Sequence, residues 1–187
     1  MTDDFVVTPW NVEGDIDYDK LIKRFGTQKI TPELLTKIEK FTNESHFMLR
    51  RGIFFSHRDL NRLLDDYEKG KKFFLYTGRG PSGHTHIGHL VPWVFAKWLQ
   101  DKFKTKMYFQ LTDDEKFWSK KDMTLEKTSK FALENALDFI ALGFKPENTK
   151  IIIDTKNIKT LYPIAAQFAK RINFSNTKAV FGFGNET

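Results

Sequence analysis

His86 and His89, with the glycines around them, have the types and spacing to handle a phosphate. They close a stretch from Phe73 to Leu90 that reads Phe-Phe-Leu-Tyr-Thr-Gly-Arg-Gly-Pro-Ser-Gly-His-Thr-His-Ile-Gly-His-Leu. The apolar opening of this stretch is the signature of a buried strand. Gly78, Gly80, Pro81, Ser82 and Gly83 then predict a loop, since such a run neither stays extended nor turns helical. From Ile87 the apolar residues recur as Leu90, Val91, Val94, Phe95, Trp98 and Leu99, which is helical spacing. Strand, glycine loop and helix start together suit a phosphate. Small residues let a ligand reach the backbone, and the first helical N–H groups carry partial positive charge.

More than one chemistry fits these residues. Gly78-x-Gly80-x-x-Gly83 fits the dinucleotide fingerprint, which expects an acid about twenty positions further on to hold a ribose. Counting from Gly83 lands in Asp101 to Thr105, where Asp101 closes a helix and does not end a strand. The other reading starts from His86-Ile87-Gly88-His89. Two imidazoles one turn apart at a helix start can donate to phosphate oxygens, and Gly88 leaves room for a nucleotide. His84, His86 and His89 could hold zinc, but the surrounding glycines suit a nucleotide better. Asp113, Asp114 and Glu115 could form a magnesium site or an acid–base pair, or simply an acidic helix start. Arg79 is a candidate phosphate contact, with a surface ion pair as the plain alternative. His46 and His57 read as surface or capping groups, and Tyr76 and Gln110, taken alone, as strand residues.

The elements that must position these groups alternate. Phe5-Val6-Val7 reads as a strand, broken by Pro9 and Gly14. Asp17 caps a helix that carries Tyr18, Leu21, Ile22 and Phe25 on one face and is closed by Gly26. Thr31-Pro32 starts a second, with Leu34, Leu35, Ile38 and Phe41 inward. Ser56-x-x-Asp59 predicts a capped third helix ended by Gly70. After the central helix come a strand at Lys106–Leu111, an outgoing loop at Thr112–Glu115 and a helix from Thr124 to Leu142 ended by Gly143. Thr149–Asp154 follows as a strand whose Ile151-Ile152-Ile153 run suits a parallel sheet. A helix over Leu161–Ile172 and a strand from Ala179 to Phe183 complete the series. Strands alternating with helices predict an α/β fold with a doubly wound parallel sheet, ligands gathering at the carboxyl ends of its strands.

Composition bounds the function. The 187 residues include 19 Phe and no Cys, so the chain can bury a core and has neither disulfides nor thiolate chemistry. The opening Met1-Thr2-Asp3-Asp4 is unlike a signal peptide, and no apolar run is long enough to span a bilayer, so the expected compartment is the cytoplasm, without a membrane partner. A net charge of +6 suits a polyanion such as tRNA, although surface lysines for solubility give the same number.

The pattern Pro81-Ser82-Gly83-x-x-His86-x-Gly88-His89 resembles the tryptophan and tyrosine branch of the class I aminoacyl-tRNA synthetases. Phe74-Leu75-Tyr76-Thr77-Gly78-Arg79-Gly80-Pro81-Ser82, Lys97-Trp98-Leu99-Gln100, Leu111-Thr112-Asp113-Asp114-Glu115-Lys116 and Val180-Phe181-Gly182-Phe183 resemble tryptophanyl-tRNA synthetases of the eukaryotic and archaeal type. So do Val7-Thr8-Pro9-Trp10, Asp17-Tyr18-Asp19-Lys20-Leu21-Ile22 and Arg50-Arg51-Gly52-Ile53-Phe54-Phe55-Ser56. One departure is the loop from Ser82 to His86, one residue shorter than eukaryotic members usually have.

The resemblance implies the first half of a Rossmann-like catalytic domain over residues 71–187 and an N-terminal helical and β appendage over 1–70, with Val7–Trp10 folding over ATP as a lid or Trp10 merely pinning the N-terminus. It implies ATP, used with Mg²⁺ and without a tightly bound cofactor, contacted by Arg79, Gly80, Ser82, His86, Gly88 and His89. His86 and His89 become the catalytic residues. Tyr76, Gly78, Gln110 and Glu115 become the tryptophan contacts, Tyr76 and Gln110 beside the indole N–H and Glu115 facing the α-ammonium group, with no metal held by the protein. The implied partners are L-tryptophan, tRNA(Trp) and a second copy of the complete chain. The second half of the sheet and the Lys-Met-Ser loop of this class are not in the sequence, so the chain is expected to be the front part of a longer enzyme, inactive alone. A tyrosine-specific enzyme, an NAD-dependent oxidoreductase and a non-catalytic tRNA-binding fragment are the competing expectations.

Overall fold

A computed structural model describes the backbone of residues 5–7, 12–14 and 17–181, and the side chains of 17–178. The side chains of the lid segment Val7–Trp10 and of the whole Val180–Phe183 motif fall outside the described residues. Two short strands, β1 (Phe5–Val7) and β2 (Val12–Gly14), pair antiparallel. Helix α1 (Tyr18–Phe25) starts where expected: the Asp17 carboxylate accepts from the N–H groups of Asp19 and Lys20, and Gly26 closes it at φ +59°. Its apolar face remains largely open, with Tyr18 and Phe25 exposed.

Strand β3 (Gln28–Lys29) pairs with β4 (Ser56–His57) around helices α2 (Pro32–Thr42) and α3 (Phe47–Arg50). Thr31 caps α2, with Pro32 in its first turn. His46 caps α3 through Nδ1, which accepts from Met48 N–H; it is buried beside Phe95 and Trp98 and is no surface residue. Helix α4 (Leu60–Glu68) departs from the expected capping box. Ser56 lies in β4, Asp59 takes φ +57° without capping by its side chain, and His57 Nδ1 accepts from Leu60 N–H instead. Helices α2, α3 and α4 bury Leu34, Ile38, Leu49 and Leu64 against Phe103, so the appendage packs on the long central helix.

The centre is a parallel sheet in the order β5 (Phe74–Arg79), β6 (Lys106–Leu111), β7 (Thr149–Ile153). It realises the α/β sheet expected from alternation. Between strands run α5 (Ile87–Phe103), the short α6 (Asp113–Ser119) and α7 (Leu125–Ala141, capped by Thr124). Met107, Phe109 and Leu111 point to one face, where Trp93, Ala96, Ala132, Ala136, Phe139 and Phe144 complete a close-packed core. On the opposite face Phe74 and Tyr76 stand 63% and 62% exposed.

Three boundaries differ from those read from sequence. Thr112–Glu115 is not a loop: α6 begins at Asp113, and three acids occupy its first turn, where the helix dipole favours them. Helix α8 (Asp154–Ala169) begins directly after β7, not near Leu161, because the buried Asp113 carboxylate accepts from both N–H and Oγ1 of Thr155. The strand expected from Ala179 is instead the end of α9 (Phe174–Phe181), which Asn173 and Asn176 start by exchanging side-chain hydrogen bonds with each other's backbone N–H.

Candidate active site at the carboxyl ends of the sheet

The turn after β5 is held from two sides. Arg79 Nη1 donates to Thr85 Oγ1 at 2.9 Å, and Nη2 donates to the carbonyls of Gly83 and His84 at 3.0 and 2.8 Å. From α7, the buried Asn135 donates to the Gly83 carbonyl at 3.1 Å. Arg79 is therefore engaged with the loop itself, and burial pushes its pKa down. Gly80 lies under the Lys116 side chain, whose Cε would be 1.9 Å from a Cβ there. Ser82 N–H donates to the Gly80 carbonyl.

The loop delivers His86 as the cap of α5. His86 Nδ1 accepts from Gly88 N–H, His89 Nδ1 accepts from His86 N–H, both at 3.2 Å, and the ring centroids are 3.8 Å apart. An Nδ1 that accepts must carry its proton on Nε2, so each neutral ring keeps an Nε2–H to donate elsewhere. Burial, and then the charges of Arg79 and His86, push the His89 pKa down and favour that neutral form. Gly88 has a local reason as well: a Cβ would lie 3.2 Å from the His86 ring. His84 is apart from the pair, with Nδ1 3.3 Å from Glu134.

The open face of the sheet carries the second cluster. Gly78, Gln110 and Ile152 are aligned across the three strands, and a Cβ on Gly78 would meet the Gln110 carbonyl oxygen at 2.4 Å. That forbids a side chain there, so Gly78 has a packing reason beyond any ligand. Tyr76 Oη donates to Gln110 Oε1 at 2.5 Å, and Gln110 Nε2 donates to both Asp154 oxygens at 2.7 and 2.9 Å. β5, β6 and the residue that follows β7 are thus joined through one amide. Glu115 lies on α6, its carboxylate held by Lys116 Nζ at 2.9 Å.

Asp154 and Asn135 were not singled out from sequence. The available signals were an acid directly after Ile151-Ile152-Ile153, at the carboxyl end of a parallel strand, and an amide on the core face of α7 between Ala132 and Phe139. Burial, offset in part by the Gln110 hydrogen bonds and reinforced by Asp114 and Asp113, pushes the Asp154 pKa from 3.8 up to about 6. Burial and then Asp154 push Tyr76 up as well. An acid held above its unfolded value destabilises the native state once ionised: the penalty is absent below pH 3.8 and complete above about pH 6. Asp154→Asn should therefore gain on the order of 1–3 kcal/mol over the parent at pH 8 and almost nothing near pH 4. Denaturant melts at the two pH values check this, and equal effects at both would contradict it.

Comparison with known proteins places this geometry. Residues 68–179 match the model of the tRNA synthetases class I (W and Y). The chain is 53% identical, over all of its length and 50% of the relative's, to the tryptophan–tRNA ligase of Pyrobaculum calidifontis. It is 56% identical to that of Sulfurisphaera tokodaii, over 97% of the chain and 48% of the relative. The chain thus spans about half the length of the curated relatives it matches. The tryptophanyl-tRNA synthetase of Plasmodium falciparum superposes with a TM-score of 0.86 at 44% identity, covering 91% of this chain and 48% of that one. The Encephalitozoon cuniculi enzyme, solved with tryptophan bound, gives 0.85 at 41% identity over 90% and 50%. A glycine turn that ends in a histidine-capped helix, on a sheet superposable on these enzymes, places the chain among the class I tRNA synthetases of the tryptophan and tyrosine group.

Proposed function

We propose that the complete protein is a tryptophan–tRNA ligase. The observation that carries this reading is the Tyr76–Gln110 pair on β5 and β6, β5 being the strand whose outgoing turn leads into the histidine-capped start of α5. A phenol oxygen and an amide oxygen suit an indole N–H, which needs an acceptor once it leaves water. In this reading the tryptophan carboxylate attacks the α-phosphorus of ATP in line, and the bond to pyrophosphate breaks. A terminal ribose hydroxyl of tRNA(Trp) then takes the acyl group and AMP leaves. ATP enters as its magnesium complex, and no tightly bound cofactor is invoked. The protein supplies position and donors for charge growing on phosphate oxygens, chiefly the Nε2–H groups of His86 and His89. Arg79 holds the turn that Gly80 and Ser82 line, Gly88 makes room for the His86 ring, and Glu115 faces the α-ammonium group.

The same reading takes residues 1–70 as an appendage and 71–187 as nucleotide-binding, with tRNA drawn by the net positive charge. It also takes the cytoplasm as the compartment and a homodimer of the complete chain as the assembly, both on the resemblance alone. No helix among the described residues is long and apolar enough to cross a membrane. Calorimetric titration of the full-length gene product tests the reading. Tryptophan should bind, and tyrosine should bind at least about a hundredfold more weakly, since a pocket built on a substrate hydrogen bond discriminates strongly. Binding of NAD in place of tryptophan would contradict it.

A further inference from the structure

We propose that Asp154 is a positioning residue that fixes which end of the Gln110 amide faces the substrate, and so makes the pocket an acceptor for a ring N–H. The inference rests on the tryptophan reading and adds a residue to it. An amide has a donor end and an acceptor end of nearly equal shape, and its neighbours decide its orientation. Tyr76 cannot decide, because a hydroxyl donates or accepts equally well. An ionised carboxylate only accepts. Asp154, 7% exposed, accepts at both oxygens from Gln110 Nε2 with the Asp114 carboxyl group beside it, and neither carboxylate can donate to the amide, so Oε1 must face Tyr76. The Tyr76 hydroxyl spends its proton on Oε1, and its oxygen keeps lone pairs for a ring N–H.

A proton on Asp154 reverses the chain. The carboxylic acid can donate to Oε1, the amide turns over, and its NH₂ faces Tyr76. The phenol oxygen then accepts from the amide and aims its own proton outward, so donor meets donor when an indole arrives. The titratable groups that face Asp154 are Asp113 and Asp114 on α6 and Tyr76 on β5. With the two acids beside it and Asp154 buried, protonation falls near pH 6, within reach of an assay.

The test compares tryptophan with its benzothiophene analogue, in which sulfur replaces the ring N–H. Specificity constants in amino-acid-dependent exchange of pyrophosphate into ATP, by the full-length gene product, give a ratio at each pH from 5 to 8. Titration of His89 or of the substrate's α-ammonium group acts on both substrates alike and cancels in this ratio. In the parent protein the ratio should fall about fivefold or more between pH 7.5 and pH 5. In Asp154→Asn it should be about tenfold lower at pH 8 and flat with pH, because the new amide accepts either Gln110 orientation. A parent ratio that does not change with pH, or an Asp154→Asn ratio equal to the parent's, would make Asp154 a structural acid and overturn the proposal. If the variant does not fold, the parent's pH profile decides alone. Absence of tryptophan turnover by the parent is a different failure, seen before any ratio is taken: it overturns the ligase reading and this inference with it.

Discussion

On the proposed ligase reading, alanine in place of His89 in the full-length gene product should slow adenylate formation by about a hundredfold or more while changing ATP binding only a few-fold. The basis is the direction of its protons. Nδ1 is committed to the His86 N–H, so Nε2–H is the free donor, and the ring is held neutral by burial, Arg79 and His86. A preorganised donor aimed at developing charge matters more in the transition state than in bound ATP, and losing one costs about 10²–10³ in turnover. His86→Ala should behave alike, with an added loss of about 1 kcal/mol of stability, because its Nδ1 also caps α5. Single-turnover rates and melting curves separate the two effects. Normal turnover with a lowered melting temperature would assign both rings to structure alone.

Phe139→Ala should cost about 3–5 kcal/mol of folding stability, the largest change expected of a single side chain here. Phe139 is fully buried, stacked on Phe109 at 3.8 Å and on Phe144 at 3.9 Å, with the Trp93 ring edge-on at 5.7 Å. Phe109 precedes Gln110 on β6, and Trp93 lies one turn beyond His89 on α5. The cavity left by the ring would therefore sit between the strand and the helix that carry the two halves of the site. Urea denaturation should show a lower midpoint with an unchanged slope. A loss below about 1 kcal/mol would mean that the neighbouring rings collapse into the space.

What was legible in the sequence depended on how far the deciding contact lies along the chain. Asp17, Thr31 and Thr124 announce helix starts because each cap is satisfied within three residues. The start of α8 was hidden because its cap, Asp113, lies 42 positions from Thr155. Ser56 and Asp59 match a capping box in letters, yet β3–β4 pairing claims Ser56 and an imidazole takes over its role. The run beginning at Ala179 shows the ambiguity of short apolar stretches: the asparagines before it, not its own composition, make it helix.

The site divides in the same way. His86 and His89 declared themselves by type and spacing, since their hydrogen bonds are local. Tyr76 and Gln110 entered only through the resemblance, and their mutual bond spans 34 positions. Asp154 is held by a residue 44 positions away and Asn135 grips a loop 52 positions away, so neither partner could be read from its neighbours. Arg79, read as a phosphate contact, holds the turn that presents the histidines, a role fixed by carbonyl groups that no side-chain pattern reveals.

The most direct test of the account is exchange of labelled pyrophosphate into ATP by the full-length gene product, with tryptophan or tyrosine as the only amino acid. Tryptophan should support the exchange and tyrosine should not, by a margin of about a thousandfold or more, because an acceptor pair facing a ring N–H is left unmatched by the wrong ring. Gln110→Ala should weaken exchange and reduce the preference for tryptophan over its benzothiophene analogue. Exchange driven equally well by tyrosine, or a Gln110→Ala protein that keeps the full preference for the ring N–H, would contradict the assignment of Tyr76 and Gln110 as the groups that read tryptophan.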